Sequence, residues 1–214
     1  MNEYSFSKHQ KFQGGFIIST KGKTNGKYER ILEAAVTVFA RQGFYQSTVS
    51  QIAKEAGVAD GTIYLYFKNK DDILVQFFNF KAKQVFASFR QEVDKAADST
   101  EKLRSLVRRH LEEFQRDGDM AVVYQTLAYQ NIEPIRDQIK EVSKMYLDMV
   151  EEILEKGQEE GTMRKDLYIS LVKRFILGAV DSAINNWLRS GRKYDLASMT
   201  EPLLDLFIRG IGNR

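Results

Sequence analysis

The sequence predicts an all-α protein of about nine helices, with a three-helix N-terminal head of helix-turn-helix type and a larger helical body. Apolar residues recur every three to four positions along nearly the whole chain, and alternation of period two is nowhere sustained. Only two of the 214 residues are proline, and many of the glycines fall between the periodic segments, where helices stop. The helix-turn-helix reading comes from residues 47–70, in which two short periodic stretches flank a glycine-containing turn.

Ile31, Ala34, Ala35, Val38 and Phe39 form an apolar stripe over residues 27–42, and Gly43 supplies the stop. Ser47 or Thr48 stands at the N-cap of a short helix reaching residue 56, with Ile52 and Ala53 inward and Gly57 at its end. Asp60 reads as the cap of a second short helix over residues 61–66. Asn69 caps a long helix whose first turn carries Asp71 and Asp72, the dipole end that favours acids. Ser99-Thr100-Glu101 opens the next helix, and Gly118 breaks it. Residues 120–129 form a shorter apolar segment. Pro134 suits the first turn of a helix running to Gly157 or Gly161. Asp166 reads as the cap of a helix over 167–190, and the last helix spans 195–210 with Pro202 inside it or near its start. Residues 1–24 lack a period and read as a tail, 25–72 as the head and 73–214 as the body.

Composition excludes whole classes of chemistry. With no cysteine, disulfide scaffolds, Cys-ligated zinc, iron–sulfur clusters and thiol catalysis have no material. His9 and His110 are the only histidines, too few for a multi-histidine metal site or a Ser-His-Asp triad. No catalytic group, metal site or cofactor is assigned. The net charge of +3 is unevenly spread: residues 1–70 hold ten Lys and Arg against five Asp and Glu, so the rest is mildly acidic. A polyanionic partner would therefore meet the N-terminal third. No apolar run reaches the length of a signal peptide or membrane span, and the chain reads as cytoplasmic, with no membrane partner.

In the stretch STVSQIAKEAGVADGTIYLYFKNK, from Ser47 to Lys70, small Ala53 sits where two helices cross, and Gly57 where the backbone turns. Val58 and Ile63 face the small core, which leaves Gly61, Thr62, Tyr64, Leu65 and Tyr66 outward. Thr62 and Tyr64 offer hydroxyls to phosphate oxygens, Gly61 allows close backbone approach, and Lys70 adds a cation. That set of groups suits DNA.

Residues 27–72, through ILEAAVTVFARQGF, the Thr48 cap, Ile52-Ala53, Gly57-Val58, Gly61-Thr62-Ile63-Tyr64 and Tyr66-Phe67 to Lys70, resemble the DNA-binding domain of TetR-type one-component repressors. The resemblance implies a homodimer that sets two heads in successive major-groove segments of a palindromic double-stranded operator. By position in that motif, Thr62, Tyr64 and Lys70 hold phosphates, Tyr66 and Gly61 lie near base edges, and Thr48 anchors the first short helix. Lys23 and Lys27 reach an adjacent phosphate or the minor groove. The resemblance implies no enzymatic activity.

The body then reads as sensor and dimer surface. Small residues Gly178, Ala179 and Ala183, with Leu203, Leu204, Phe207 and Ile208, suit close helix packing, and the resemblance turns that into a dimer interface of the last two helices. Candidate cavity-lining residues are Phe80, Phe86, Leu106, Leu111, Phe114, Tyr124, Leu127, Tyr129, Phe175 and Trp187. Arg104, Arg108 and Arg109, with His110 beside them, form a cationic edge suited to an anionic head group. The segment Tyr129-Gln130-Asn131-Ile132-Glu133 and the Lys193-Tyr194-Asp195-Leu196 run after Trp187 resemble the acyl-CoA-responsive members of the family, which control fatty-acid degradation. That likeness implies long-chain acyl-CoA as effector and adds Asn131 to the ligand-binding residues. Two other readings stay open: a family member governing a multidrug pump and answering an aromatic cation, and a helical enzyme or interaction protein that leaves Tyr64, Tyr66 and Lys70 without a role.

Overall fold

The computed structural model describes residues 24–130 and 133–212. Among them lie nine α-helices, two 3-10 turns and one isolated antiparallel bridge, Met163 to Gly212. The tail reading, Lys23 and Asn131 fall outside the described residues, as does the side chain of Tyr129.

The head is α1 (Thr24–Gln42), α2 (Val49–Glu55) and α3 (Asp60–Ile63). Gly43 ends α1 in the left-handed region, at φ +81°, a conformation that glycine adopts without a Cβ penalty. Thr48 caps α2 in a full capping box: its side chain accepts from the Gln51 backbone N–H, and Gln51 Oε1 accepts from the Thr48 N–H at 2.8 Å. Gly57, at φ +62°, then turns the chain. α3 is shorter than the sequence suggests, because its end at Tyr64 tightens into a turn. Asp60 does not cap it: that position belongs to Ala59, without a side-chain bond. Ile31, Ile52, Ile63 and Phe67 are almost wholly removed from water, each contributing about 2 kcal/mol of burial free energy. Tyr28 of α1 stacks on Phe67, centroids 5.2 Å apart and 18° from parallel.

α4 (Lys70–Lys95) starts in the head and runs through the body without a break, about 39 Å at 1.5 Å per residue. Asn69 caps it by accepting from the Asp72 N–H at 2.8 Å. α5 (Ser99–Arg116) packs against α4, α6, α7, α8 and α9 and is the axis of the body. Its cap is Asp98, one residue before the Ser-Thr-Glu signal. Ser99 is instead buried and gives its N–H and hydroxyl to Glu160. α6 (Gly118–Gln130) begins on the glycine read as a breaker, because Asp117 accepts from the Met120 N–H and starts the new helix there.

Pro134 lies in the 3-10 turn Glu133–Ile135 that leads into α7 (Arg136–Glu160), and Gly161 ends α7 at φ +78°. Asp166 does not cap α8 (Ile169–Arg189), since its carboxylate is held by Arg164 at 2.8 Å. Asp195 caps the 3-10 turn Leu196–Met199 that precedes α9 (Thr200–Ile211). The head meets the body where α1 packs on α4 and α6.

Candidate DNA-reading head and ligand cavity

The head leaves several of the residues read as DNA contacts open to solvent. Lys27, Thr48, Gly61 and Tyr64 are exposed and Thr62 is half-buried. Tyr64 is 60% and Leu65 80% exposed, which for large apolar side chains marks a contact surface. Tyr45, just before α2, is as open at 69% and escaped the sequence reading, since an aromatic in a loop carries no period. Tyr66 is only partly outward, because its ring leans on Tyr28 and Phe67 at centroid distances of 6.4 and 6.3 Å.

Lys70 is tied to the loop between α1 and α2. Its ammonium donates to the carbonyls of Phe44 (2.7 Å), Tyr45 (3.3 Å) and Ser47 (2.8 Å), and it sits 4.5 Å from the centre of the Phe44 ring. An ammonium has three protons, and here all three go to the α1–α2 loop. Burial lowers its pKa. Lys70 thus clamps the loop in front of α2.

Behind the head, α4, α5, α6, α7 and α8 enclose a cavity. Phe77, Phe78, Lys81, Ala82, Val85, Phe86 and Phe89 line it from α4, His110 and Phe114 from α5, and Met120 and Tyr124 from α6. Val142, Ser143 and Tyr146 of α7 and Leu177 of α8 complete the wall. The open volume is about 50 Å³. Among the described residues the lining has one charged residue, Lys81, which pairs with Asp117 at 2.8 Å, and no carboxylate. A second, polar cleft of about 320 Å³ shares Phe77 and Lys81 and lies between α1 and the α5–α6 corner, beside Glu33, Asp117, Asp119 and Arg192.

Of the ligand residues read from sequence, the structure brings Phe86, His110, Phe114 and Tyr124 together around this cavity. Leu106, Leu111 and Leu127 are buried but do not line it. Phe80 packs edge-on against Tyr28 at the head junction. Trp187 is also core, its indole N–H donating to the Tyr194 carbonyl at 2.9 Å. Phe175 is 65% exposed on α8, so it belongs to an outer surface.

The arginine edge also breaks up. Arg104 and Arg108 both pair with Glu201 of α9, while Arg109 turns to Ser88, Glu112 and Glu113. The 100° step of the helix sets residue 109 well round the axis from 104 and 108. His110 faces inward, is 5% exposed, and burial pushes its pKa down to about 3, so the ring is neutral. Of the α4 wall the sequence reading found Phe86 alone, and the α7 residues escaped it. The rest of the α4 signal was present as Phe78, Ala82, Val85 and Phe89 at helical spacing, but the same spacing serves any packed core.

A small head with an exposed reading turn, joined by one continuous helix to a body with an apolar cavity, is the build of a ligand-responsive DNA-binding regulator. The chain belongs to the TetR family of bacterial regulatory proteins. Residues 31–77 match that family's N-terminal model, and residues 78–210 match the model described as YsiA-like protein, C-terminal region. The chain is 38% identical over 188 residues to the fatty acid metabolism regulator protein of Bacillus subtilis, covering 88% of this chain and 97% of that one. The solved fatty acid degradation regulator FadR of Bacillus halodurans superposes with a TM-score of 0.83 at 39% identity, over 90% of this chain and 98% of that one. FadR of Bacillus subtilis, solved in complex with stearoyl-CoA, superposes at 0.80 with 39% identity, over 86% and 99%.

Proposed function

We propose that this chain represses fatty-acid degradation genes in the cytoplasm, binding a palindromic operator as a dimer through α8 and α9 and leaving it when long-chain acyl-CoA binds. The relatives in Bacillus support the pathway and the ligand class, since one is a fatty acid metabolism regulator and one was solved with stearoyl-CoA. The observation that carries the reading is the aromatic and aliphatic cavity along α4, the helix that also begins in the head.

The mechanism follows from volumes and connectivity. Ligand sites usually hold about 300–1,000 Å³, and this cavity offers about 50 Å³. A long acyl chain therefore enters only by pushing its walls apart, and Phe77 to Phe89 of α4 are much of that wall. Displacing α4 carries its N-terminal turn, and with it Lys70 and the loop before α2. The two heads of a dimer then lose the half-site spacing of the operator. A useful switch needs the ligand to favour the DNA-incompetent state by about 1–3 kcal/mol.

Titrating stearoyl-CoA into the protein–operator complex, followed by gel shift, is expected to release the DNA. Unchanged operator affinity across the titration removes the ligand assignment and leaves the DNA-binding assignment standing. The salt slope of DNA binding tests the latter, because phosphate contacts make it steep. The efflux-type reading has less support, since a site for an aromatic cation calls for an acidic wall: among the described residues none of the lining is a carboxylate, and the nearby acid, Asp181, has its pKa raised by burial.

A further inference from the structure

The cavity wall contains an anomaly. Tyr146 on α7 and His110 on α5 are 2% and 5% exposed, and their rings lie 4.9 Å apart at 57°. Both line the cavity, yet the Tyr146 hydroxyl and His110 Nδ1 have no hydrogen-bond partner. Buried polar atoms are nearly always bonded, and leaving one unbonded costs free energy. Two such atoms on neighbouring rings, in a chamber whose wall is mostly apolar, have the arrangement of a binding site awaiting a polar atom. Phe89 and Phe114 pack around the pair, at 5.6 Å and 4.8 Å from the imidazole, and fix both rings.

We propose that Tyr146 and His110 form a polar station inside the cavity that hydrogen-bonds one oxygen on the acyl portion of the ligand. This rests on the acyl-CoA reading of the cavity. Tyr146 donates its hydroxyl proton to that oxygen, and His110 Nδ1 donates to a carbonyl or, in its other tautomer, accepts from a hydroxyl. The chemistry is an uncharged oxygen: the neutral imidazole supplies no positive charge, and the one cation of the described lining, Lys81, is already paired with Asp117. Two sources carry such an oxygen, the thioester carbonyl of any acyl-CoA and a hydroxyl on a modified chain. The station selects for the oxygen, and the rest of the wall only for apolar bulk.

The test compares wild type and Tyr146→Phe by calorimetric titration with three ligands. These are stearoyl-CoA, its thioether analogue S-octadecyl-CoA, which lacks the carbonyl, and a mid-chain hydroxystearoyl-CoA. If the carbonyl is the partner, wild type binds stearoyl-CoA about tenfold more tightly than the thioether, the worth of one good hydrogen bond, and Tyr146→Phe makes the two equal. If a chain hydroxyl is the partner, the hydroxylated ligand has the tenfold advantage, and the variant removes it. Tyr146→Phe keeps the ring and deletes only an unbonded buried hydroxyl, so the ligand-free variant is expected to melt no lower than wild type. Ligand ratios that the substitution leaves unchanged overturn the station while the acyl-CoA reading stands. A wild type that binds none of the three ligands overturns both.

Discussion

At the scale of single residues, the head and the cavity differ in how much of them the sequence discloses. Lys70 was legible as a cation near the reading turn, but its three carbonyl partners come from residues 23 to 26 positions away, and no local pattern reports them. Asp181 is a second case. It accepts from Gln125 Nε2 at 3.3 Å, and burial raises its pKa to about 6 from 3.8. The folded protein therefore keeps a proton that the unfolded chain gives up over the window from about pH 4 to pH 6. That contribution to stability is complete below the unfolded value and is lost as the pH rises through the folded one. Asp181→Asn is expected to be more stable than wild type at pH 7.5 by about 2 kcal/mol and to lose that margin by about pH 4. Urea melts across that range check it, and a constant difference between the two proteins removes Asp181 as its source.

Elements were legible where a helix announces its own ends. Thr48, Asn69, Gly43 and Gly161 act at the boundaries that their side chains or free φ permit. Asp60 and Asp166 do not, because a cap depends on backbone geometry that a neighbour can take over: Ala59 holds the first position, and Arg164 holds the second carboxylate. The capping box of α2 gives a prediction at this scale. Thr48→Ala removes the acceptor for the Gln51 N–H and is expected to lower stability by about 1 kcal/mol, while Thr48→Ser retains most of it. Chemical denaturation of the two variants reads this directly. Equal losses in both would show that the methyl group, not the hydroxyl, carries the effect.

At the scale of the whole molecule, the polarised charge of the chain acquires a geometry. The basic N-terminal third includes the head, and the body presents a different surface. Tyr168, Leu171 and Phe175 on or beside α8 and Leu206 on α9 are each more than 60% exposed. So many large apolar side chains on two adjacent helices mark an association face. Phe175→Glu buries a charge in that face and is expected to yield monomers by sedimentation, with operator affinity lowered at least tenfold because one head then binds alone. A Phe175→Glu protein that stays dimeric moves the interface elsewhere. This prediction and the acyl-CoA release experiment are independent, since the proposed dimer face and the cavity use different sides of α8: Phe175 points out, and Leu177 lines the cavity.

By itself the sequence determined the helical class, the order of the helices and the reading turn of the head, since each follows from residues within about a turn or two of one another: apolar period, caps and left-handed glycines. It also determined what the protein lacks the material to do, since without cysteine and with two histidines whole chemistries are closed. Only the tertiary structure decided which aromatics line a cavity and which fill a core. Phe86 of α4 and Leu106 of α5 both sit on apolar helix faces, and they part only when the packing of the two helices leaves one against open space and the other against packed neighbours. It also decided that Arg104 and Arg108 answer to Glu201, nearly a hundred residues away, and that His110 and Tyr146 meet with no partner between them. Those facts depend on contacts between distant helices, and helical periodicity records which face is buried without recording what it is buried against.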